Sequence, residues 1–479
     1  MKKSIIQSFL LSASLCALFA SCESKREIVW VVSTPEVSWQ IQENNHIKWK
    51  KGEAETVIET DHPLQTIDGF GTCFNELGWT SLSLLPETDI ASVMKEFFTP
   101  EGANFTICRM PLGANDFSRN WYSYNETDGD FSMENFSVAN DYETLIPFIR
   151  EAQKYNPSLQ IWASPWCPPS WMKYNKHYAC AVSGEHLEEK YRNDLIPEQQ
   201  GAEGTDMFIQ EERYFKAYAL YFRKFIEAYR KEGIDIFMVM PQNEFNSCQN
   251  FPSCTWTAAG INRFVGEYLG PEMKDIGVEL MFGTMERDNT LLTDTLLNDE
   301  LSKRYIRGVG FQWAGKGAIG KVYADYPDLK IYQTEQECGN GKNDWAYCTY
   351  AWTLMKHYLS NGTNVYTYWN TSLEDGGVSR WGWSQNSLIT VDPKTKTYKY
   401  NYEYYLMKHF SHYVLPGAKR LAISGDTDHI LAFKNEDGSL VLVLHNPQKE
   451  ETYHRIKIGE DVLSTTLTPQ SFHTIVVKR

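Results

Sequence analysis

The stretch Phe237–Cys254, FMVMPQNEFNSCQNFPSC, holds the residues best suited to chemistry. An apolar run fit for a buried strand stops at Pro241, and Gln242, Asn243 and Glu244 follow it into a loop. A second run, Leu329–Glu335, LKIYQTE, ends the same way on Glu335. Two carboxylates carried to one mouth by two strands could divide the cleavage of a glycosidic bond, one as acid/base and one as nucleophile. A retaining reaction needs them roughly 5–5.5 Å apart, an inverting one roughly 6.5–9.5 Å. Asn243 is placed to hydrogen-bond the sugar hydroxyl next to the reacting carbon. Glu337 competes with Glu335, which is favoured because it lies nearer the strand end; Glu76 and Glu286 are weaker by position. A lone Glu at a strand end is ordinarily solvated or salt-bridged, so it is the pairing that singles out Glu244 and Glu335.

The elements that must carry this pair follow a repeating order. Eight strand-like runs stand at Thr66–Phe74, Asn104–Leu112, Leu159–Pro165, Ile234–Met240, Val278–Met285, Tyr305–Trp313, Leu329–Thr334 and Asn364–Trp369. Helix-like stretches separate them. In Phe208–Arg230 the apolar positions Phe215, Tyr218, Ala219, Phe222, Phe225, Ile226 and Tyr229 recur at helical spacing. Pro86–Phe98 and Asp344–Leu359 are further helix candidates. Eight strand–helix units predict a (β/α)8 barrel, with the active site at the C-terminal ends of the strands; an open doubly wound sheet is the alternative, usually with fewer strands.

At those strand ends stand Arg109 and Asp116, Trp166, the Gln242–Glu244 run, Gln312 and Trp313, Glu335, and Trp369. Tryptophans that stack and amides or carboxylates that hydrogen-bond suit a polyhydroxylated ligand. Arg109 is expected to reach a carboxylate inside the barrel and keep it ionised. After a helix at Tyr402–Phe410 come β-rich runs, RLAIS, HILAFK, LVLVLH, HRIKI and HTIVVK. They predict a β domain that the N-terminal runs IVWVVS and HIKWKK join, since two strands alone would be unstable. The expected division is 1–22 leader, 23–62 N-terminal strands, 63–412 barrel and 413–479 C-terminal β-sandwich.

Composition narrows the function. The 479 residues exceed a single-core domain, and a net charge of −15 argues against nucleic acid. Lys2, Lys3 and the apolar Ile5–Phe19 read as a secretory leader. LFASC resembles the bacterial lipoprotein processing box, which makes Cys22 the expected lipidation site and implies an exported protein anchored to the outer membrane, with a periplasmic or secreted protein as the alternative. Eight further cysteines follow, and Cys248/Cys254, Cys167/Cys180 and Cys338/Cys348 are near enough in sequence to pair. No zinc pattern occurs, and neither metal nor cofactor is expected. Gly315-x-Gly317-x-x-Gly320 matches a dinucleotide fingerprint only on paper, because no βαβ start surrounds it.

At these residues the chain resembles glycoside hydrolase family 30, the family of glucosylceramidases and β-1,6-glucanases. GFGTCFNE at 69–76, RMPLGANDFS at 109–118, ASPWCPPSWMK at 163–173, QNE at 242–244, TEQE at 334–337 and YWN at 368–370 carry the resemblance. It implies Glu244 as acid/base, Asn243 as its sugar-binding neighbour, Glu335 as nucleophile, Asp116 and Trp166 in the −1 subsite, and Trp369 as the floor under the sugar. It also implies a retaining double displacement without a metal, and a side β domain built from both chain ends. The chain departs from the family in Phe311-Gln312-Trp313-Ala314 after strand six, in Phe245 after the acid/base, and in the NSCQNFPSCTW loop at 246–256. The expected activity is β-1,6-glucan hydrolysis. Alternatives are glucosylceramide or another β-glucoside or β-fucoside, and, more distantly, a non-catalytic glycan-binding lipoprotein.

Overall fold

A computed structural model describes residues 27–43 and 46–478. The leader and Cys22 lie outside the described residues. Eight parallel strands close into a barrel. They are β1 (Gly69–Cys73), β2 (Ile107–Pro111), β3 (Gln160–Ser164), β4 (Ile236–Val239), β5 (Glu279–Met285), β6 (Ile306–Gln312), β7 (Lys330–Glu335) and β8 (Val365–Asn370). Six of the expected runs contain one of them, and β7 and β8 each extend one residue past theirs, to Glu335 and Asn370.

Alternation along these strands decides what faces the barrel axis. Ile107, Trp162, Met238, Met240, Met281, Tyr332 and Val365 form one apolar cluster that plugs the interior. The intervening residues Cys108, Met110, Ile161, Ala163, Val239 and Ile331 pack outward in the main core beneath the helices. A strand buried on both faces reads as a near-continuous apolar run, as these do. On β6, Gly310 leaves room for the plug: a Cβ there would stand 2.6 Å from Met240 Sδ. Two residues above the plug, the same inward parity delivers Arg109 on β2, Ser164 on β3 and Thr334 on β7 to the C-terminal mouth.

The helices cover the barrel where apolar spacing predicts. Glu212–Lys231 buries Phe215, Tyr218, Phe222, Phe225 and Tyr229 on one face. It begins four residues later than the periodicity suggests: Phe208 sits instead in a bridge to Lys173, its ring stacked on Trp256 at 4.5 Å. Trp345–Ser360 starts at Asp344, whose carboxylate accepts from Tyr347 N at 2.8 Å as an N-cap. Glu87–Phe98 starts directly after Pro86.

The β domain is one ten-stranded ladder that folds over on itself. Glu27–Ser33, near one end of the strand order, and Asp461–Leu467, near the other, put Trp30, Val32 and Leu463 into a single core. Leu440–Asn446 is buried on both faces. Leu440, Leu442 and Leu444 enter that sandwich core, while Val441 and Val443 pack against the barrel. Glu27–Ser33 pairs along its length with Ser471–Lys478, as expected of N-terminal strands joining the C-terminal domain.

Three expectations need adjustment. The run from Thr66 is two elements, because the sandwich strand Thr56–Thr66 passes the expected boundary at 62 and the barrel strand opens at Gly69. A small sheet of Ser372–Glu374, Ile389–Asp392 and Thr397–Tyr400 follows β8 and was not expected. All eight described cysteines are free thiols. Cys248 Sγ turns to Cys180 O and Cys254 Sγ to Thr255 O, so this close pair in sequence engages different neighbours.

Candidate active site

Glu244 leaves β4 through a turn in which its own φ is +48°. A non-glycine residue in that region costs about 1–3 kcal/mol and persists only where its surroundings hold it. Here Thr284, at the end of β5, accepts Glu244 N at 2.9 Å on its Oγ1 and donates to Asn243 Oδ1 at 3.1 Å. Asn243 N is held by Pro165 O at 2.6 Å. Trp313, directly after β6, has a φ of +45° and donates from Nε1 to Glu335 Oε1 at 3.0 Å.

The two carboxylates meet over one side chain. Gln312 Nε2 stands 3.0 Å from Glu244 Oε1 and 3.2 Å from Glu335 Oε2. Those two oxygens can be no further apart than the two bonds laid end to end, so the carboxyl groups face each other across one amide. Asn243 Oδ1 lies 3.1 Å from the same nitrogen.

Arg109 is fully buried and organises the layer beneath. Its Nη1 donates to Glu335 Oε2 at 3.0 Å and to Thr334 O at 3.1 Å. Its Nη2 donates to Asn243 Oδ1 at 2.7 Å and to Ser164 Oγ at 2.9 Å. The guanidinium lies over Trp166 at 4.4 Å, Trp162 at 5.1 Å and Trp369 at 5.4 Å. One cation thus fixes both the nucleophile candidate and the Asn243 amide, and three indole faces help replace its hydration.

The electrostatics separate the two glutamates. Burial, then the charge of Glu335, pushes the Glu244 carboxyl up to about 7. Burial also raises Glu335, but Arg109, Trp313 and Gln312 pull it back. Among the described residues three side chains donate to the Glu335 carboxylate and one to that of Glu244, a split suited to a nucleophile and an acid. Asp116 is buried, and its carboxyl is pushed up by burial first and then by the charges of Glu335 and Glu244. Among the described residues its Oδ1 has no hydrogen-bond partner, which leaves an acceptor free for a ligand hydroxyl.

Asp116, Trp166, Glu244, Trp313 and Glu335 line one cleft, with Gln249, Phe251, Glu286, Trp383 and Gln385. Arg109 and Asn243 lie under it. Trp369 is fully buried and stacks on Trp166, a lining residue of the cleft, at 5.1 Å. The competitors are occupied elsewhere. Glu337 pairs with Lys316 at 2.6 Å and accepts from Tyr350 at 2.8 Å. Glu76 accepts from Arg119 N and Nε, Asn140 and Thr144, as a buried latch. Glu286 lines the cleft but forms an ion pair with Arg287.

Sequence reasoning missed the parts that hold and flank the pair. Ser164 and Thr284 are small hydroxyl residues with no signature of their own. Gln312 was seen only as a strand-end amide. Phe251 and Gln249 come from the 246–256 loop, and Trp383 and Gln385 from the segment after Ser372–Glu374. Lys173, fully buried, ties the 246–256 loop down: its Nζ donates to Ser253 O at 2.7 Å, Tyr178 O at 2.9 Å and Ala179 O at 3.2 Å. The unusual Cys-rich loop is thus pinned by an ammonium, not a disulfide.

Known proteins share this plan. Residues 67–193 and 198–414 match the glycosyl hydrolase family 30 TIM-barrel domain, and residues 417–475 match the family's beta sandwich domain. A putative glucosylceramidase 1 of Caenorhabditis elegans is 30% identical over 82% of this chain and 76% of its own. An endo-1,6-beta-D-glucanase of Neurospora crassa is 25% identical over 83% of this chain and 82% of its own. The crystal structure of SrfJ from Salmonella typhimurium superposes with a TM-score of 0.82 at 23% identity, covering 95% of this chain and 100% of that one. Barrel, side sandwich and matched sequence agree, and the chain belongs to glycosyl hydrolase family 30.

Proposed function

We propose that the protein is a retaining hydrolase of β-glucosidic bonds, acting by double displacement on β-1,6-linked glucan. The observation that supports the mechanism is the single Gln312 nitrogen within hydrogen-bond reach of both carboxylates, which holds an oxygen of each close to the other. Glu335 attacks the anomeric carbon and forms an ester. The glycosidic C–O bond breaks, and Glu244 gives its proton to the departing oxygen. Water then attacks the same carbon, Glu244 takes its proton, and the ester bond breaks to return the carboxylate of Glu335.

The relatives support two substrate readings, since one is named a glucosylceramidase and another an endo-1,6-β-D-glucanase. The mouth favours a sugar as leaving group. Gln249, Glu286 and Gln385 put amides and a carboxylate there, and the half-exposed Trp383 stands edge-on to Phe251 at 6.4 Å. A flat indole amid hydrogen-bonding groups suits a pyranose ring better than two lipid chains.

Product analysis on β-1,6-glucan, glucosylceramide and aryl β-glycosides tests the reading. Turnover of glucosylceramide with none of the glucan would overturn the linkage assignment. Trp383→Ala should cost about tenfold in kcat/KM on glucan, the scale of one lost ring contact. The cost on β-glucosyl fluoride, whose leaving group carries no ring, should be several-fold smaller. Equal losses on both would remove Trp383 from leaving-group recognition.

The leader and its LFASC box support export with a lipid on Cys22, holding the enzyme at the bacterial outer membrane. Cys22→Ser should then move the protein from the membrane fraction to the soluble one; an unchanged distribution argues against the anchor.

A further inference from the structure

Gln312 has more acceptors around its amide than hydrogens to give. Its Nε2 is within 3.0–3.2 Å of three oxygens, on Asn243, Glu244 and Glu335. Two N–H groups cannot serve all three fully. The amide cannot turn over to escape this, because its carbonyl oxygen accepts from Thr334 Oγ1 at 2.8 Å and from Arg109 Nη1 at 3.3 Å.

The three acceptors are not equally supplied. Asn243 Oδ1 already receives Arg109 Nη2 and Thr284 Oγ1. Glu335 receives Arg109 and Trp313. Among the described residues Gln312 is the one side chain that donates a hydrogen bond to the carboxyl of Glu244. The proposed double displacement, on which this inference rests, moves one negative charge between the two glutamates. Glu335 is the anion before its ester forms, and Glu244 is the anion while the ester lasts. Donation to an ionised acceptor is roughly twice as strong as to a neutral one.

We propose that Gln312 is a positioning residue that hands its amide hydrogen bond from Glu335 to Glu244 and back as the charge moves. No atom of Gln312 is protonated, deprotonated or bonded to substrate in the process. The side chain supports whichever carboxylate is charged and adds no titration of its own to the site. A His in the same place could also donate to two carboxylates, but it would itself gain charge near pH 6.5.

The test compares the wild type with Gln312→Met, which keeps length and removes the N–H groups. Carboxyl titration of both glutamates by 13C NMR needs no substrate. In Gln312→Met the Glu244 midpoint should rise by about one pH unit, a tenfold change in its ionisation constant. Glu335, with Arg109 and Trp313 still donating, should move less. A second titration follows trapping of Glu335 with a 2-deoxy-2-fluoro-β-glucosyl donor. There the difference in Glu244 between variant and wild type should widen, because the whole bond has passed to Glu244. The variant should also accumulate glycosyl-enzyme on dinitrophenyl β-glucoside, seen as a burst.

Unmoved midpoints, or the same difference in the free and trapped forms, would overturn the handover. If Gln312→Met does not fold, Gln312→Leu, uncharged and with no N–H to give, takes its place. The same upward shift of Glu244 is then required, and its absence overturns the proposal. A wild type that hydrolyses no β-glycoside would refute the proposed activity, and the substrate-free titration would still read the hydrogen bond to Glu244.

Discussion

Glu335→Gln should reduce turnover of every β-glucoside by about 10⁴-fold or more, the scale on which loss of a nucleophile collapses a covalent mechanism. The amide keeps the volume of the carboxylate but not its charge, so it cannot form the ester. It also turns one acceptor into a donor facing Arg109, Gln312 and Trp313. A smaller variant makes the test stereochemical. In Glu335→Ala, azide should enter the vacated face of dinitrophenyl β-glucoside, form the C–N bond as dinitrophenolate leaves, and give the α-glycosyl azide. Full activity in Glu335→Gln, or a β-azide product from Glu335→Ala, would remove Glu335 from the nucleophile's role.

Glu244→Gln separates the acid from the base. Losing a general acid costs about 10²–10⁴-fold on substrates whose leaving oxygen needs the proton, such as glucan. Dinitrophenolate needs none, so the first step should survive on that substrate while the second, without its base, slows and the ester accumulates. Azide with Glu244→Ala should yield the β-glycosyl azide, because Glu335 still protects the other face. The wild-type pH profile follows from the same geometry. Burial and the neighbouring charge push Glu244 up to about 7, and the reaction requires its protonated form. The value of kcat/KM should therefore fall as pH rises beyond about 7. In Glu335→Gln the neighbouring charge is gone, and the Glu244 midpoint read by 13C NMR should drop. A midpoint that stays put would mean the two groups do not sense each other.

Much of this architecture is legible before any coordinate. The barrel strands are largely buried on both faces, so their apolar runs stand out, and four of them close on a polar residue at the mouth, Ser164, Gln312, Glu335 and Asn370. LVLVL betrays the doubly buried sandwich strand for the same reason. Glu244 and Glu335 are visible because a carboxylate that closes an apolar run needs an explanation.

What sequence hides is convergence. Gln312 is an ordinary amide until β6 brings it between two carboxylates, and Thr284 and Ser164 are ordinary hydroxyls until they brace Asn243 and Arg109. Ser372–Glu374 is too short to display a period of two, and without it the hairpin Ile389–Tyr400 has no visible partner. The cysteine spacings suggested crosslinks because proximity in sequence says nothing about the direction in which each thiol points.

The pairing of Glu27–Ser33 with Ser471–Lys478 has a consequence for the making of the protein. Trp30 Nε1 donates to His473 Nδ1 at 3.0 Å across 443 positions of chain. Synthesis delivers the first strand before its partner, with the whole barrel made between them. The sandwich cannot close, nor can Val441, Val443, Phe472 and Val476 seal the barrel's flank, until Ser471–Lys478 has emerged. The early strand must wait with its edge open, the state most exposed to wrong partners. Closure of the sandwich over the barrel's flank is therefore a late event, whatever the barrel between the two strands has already done.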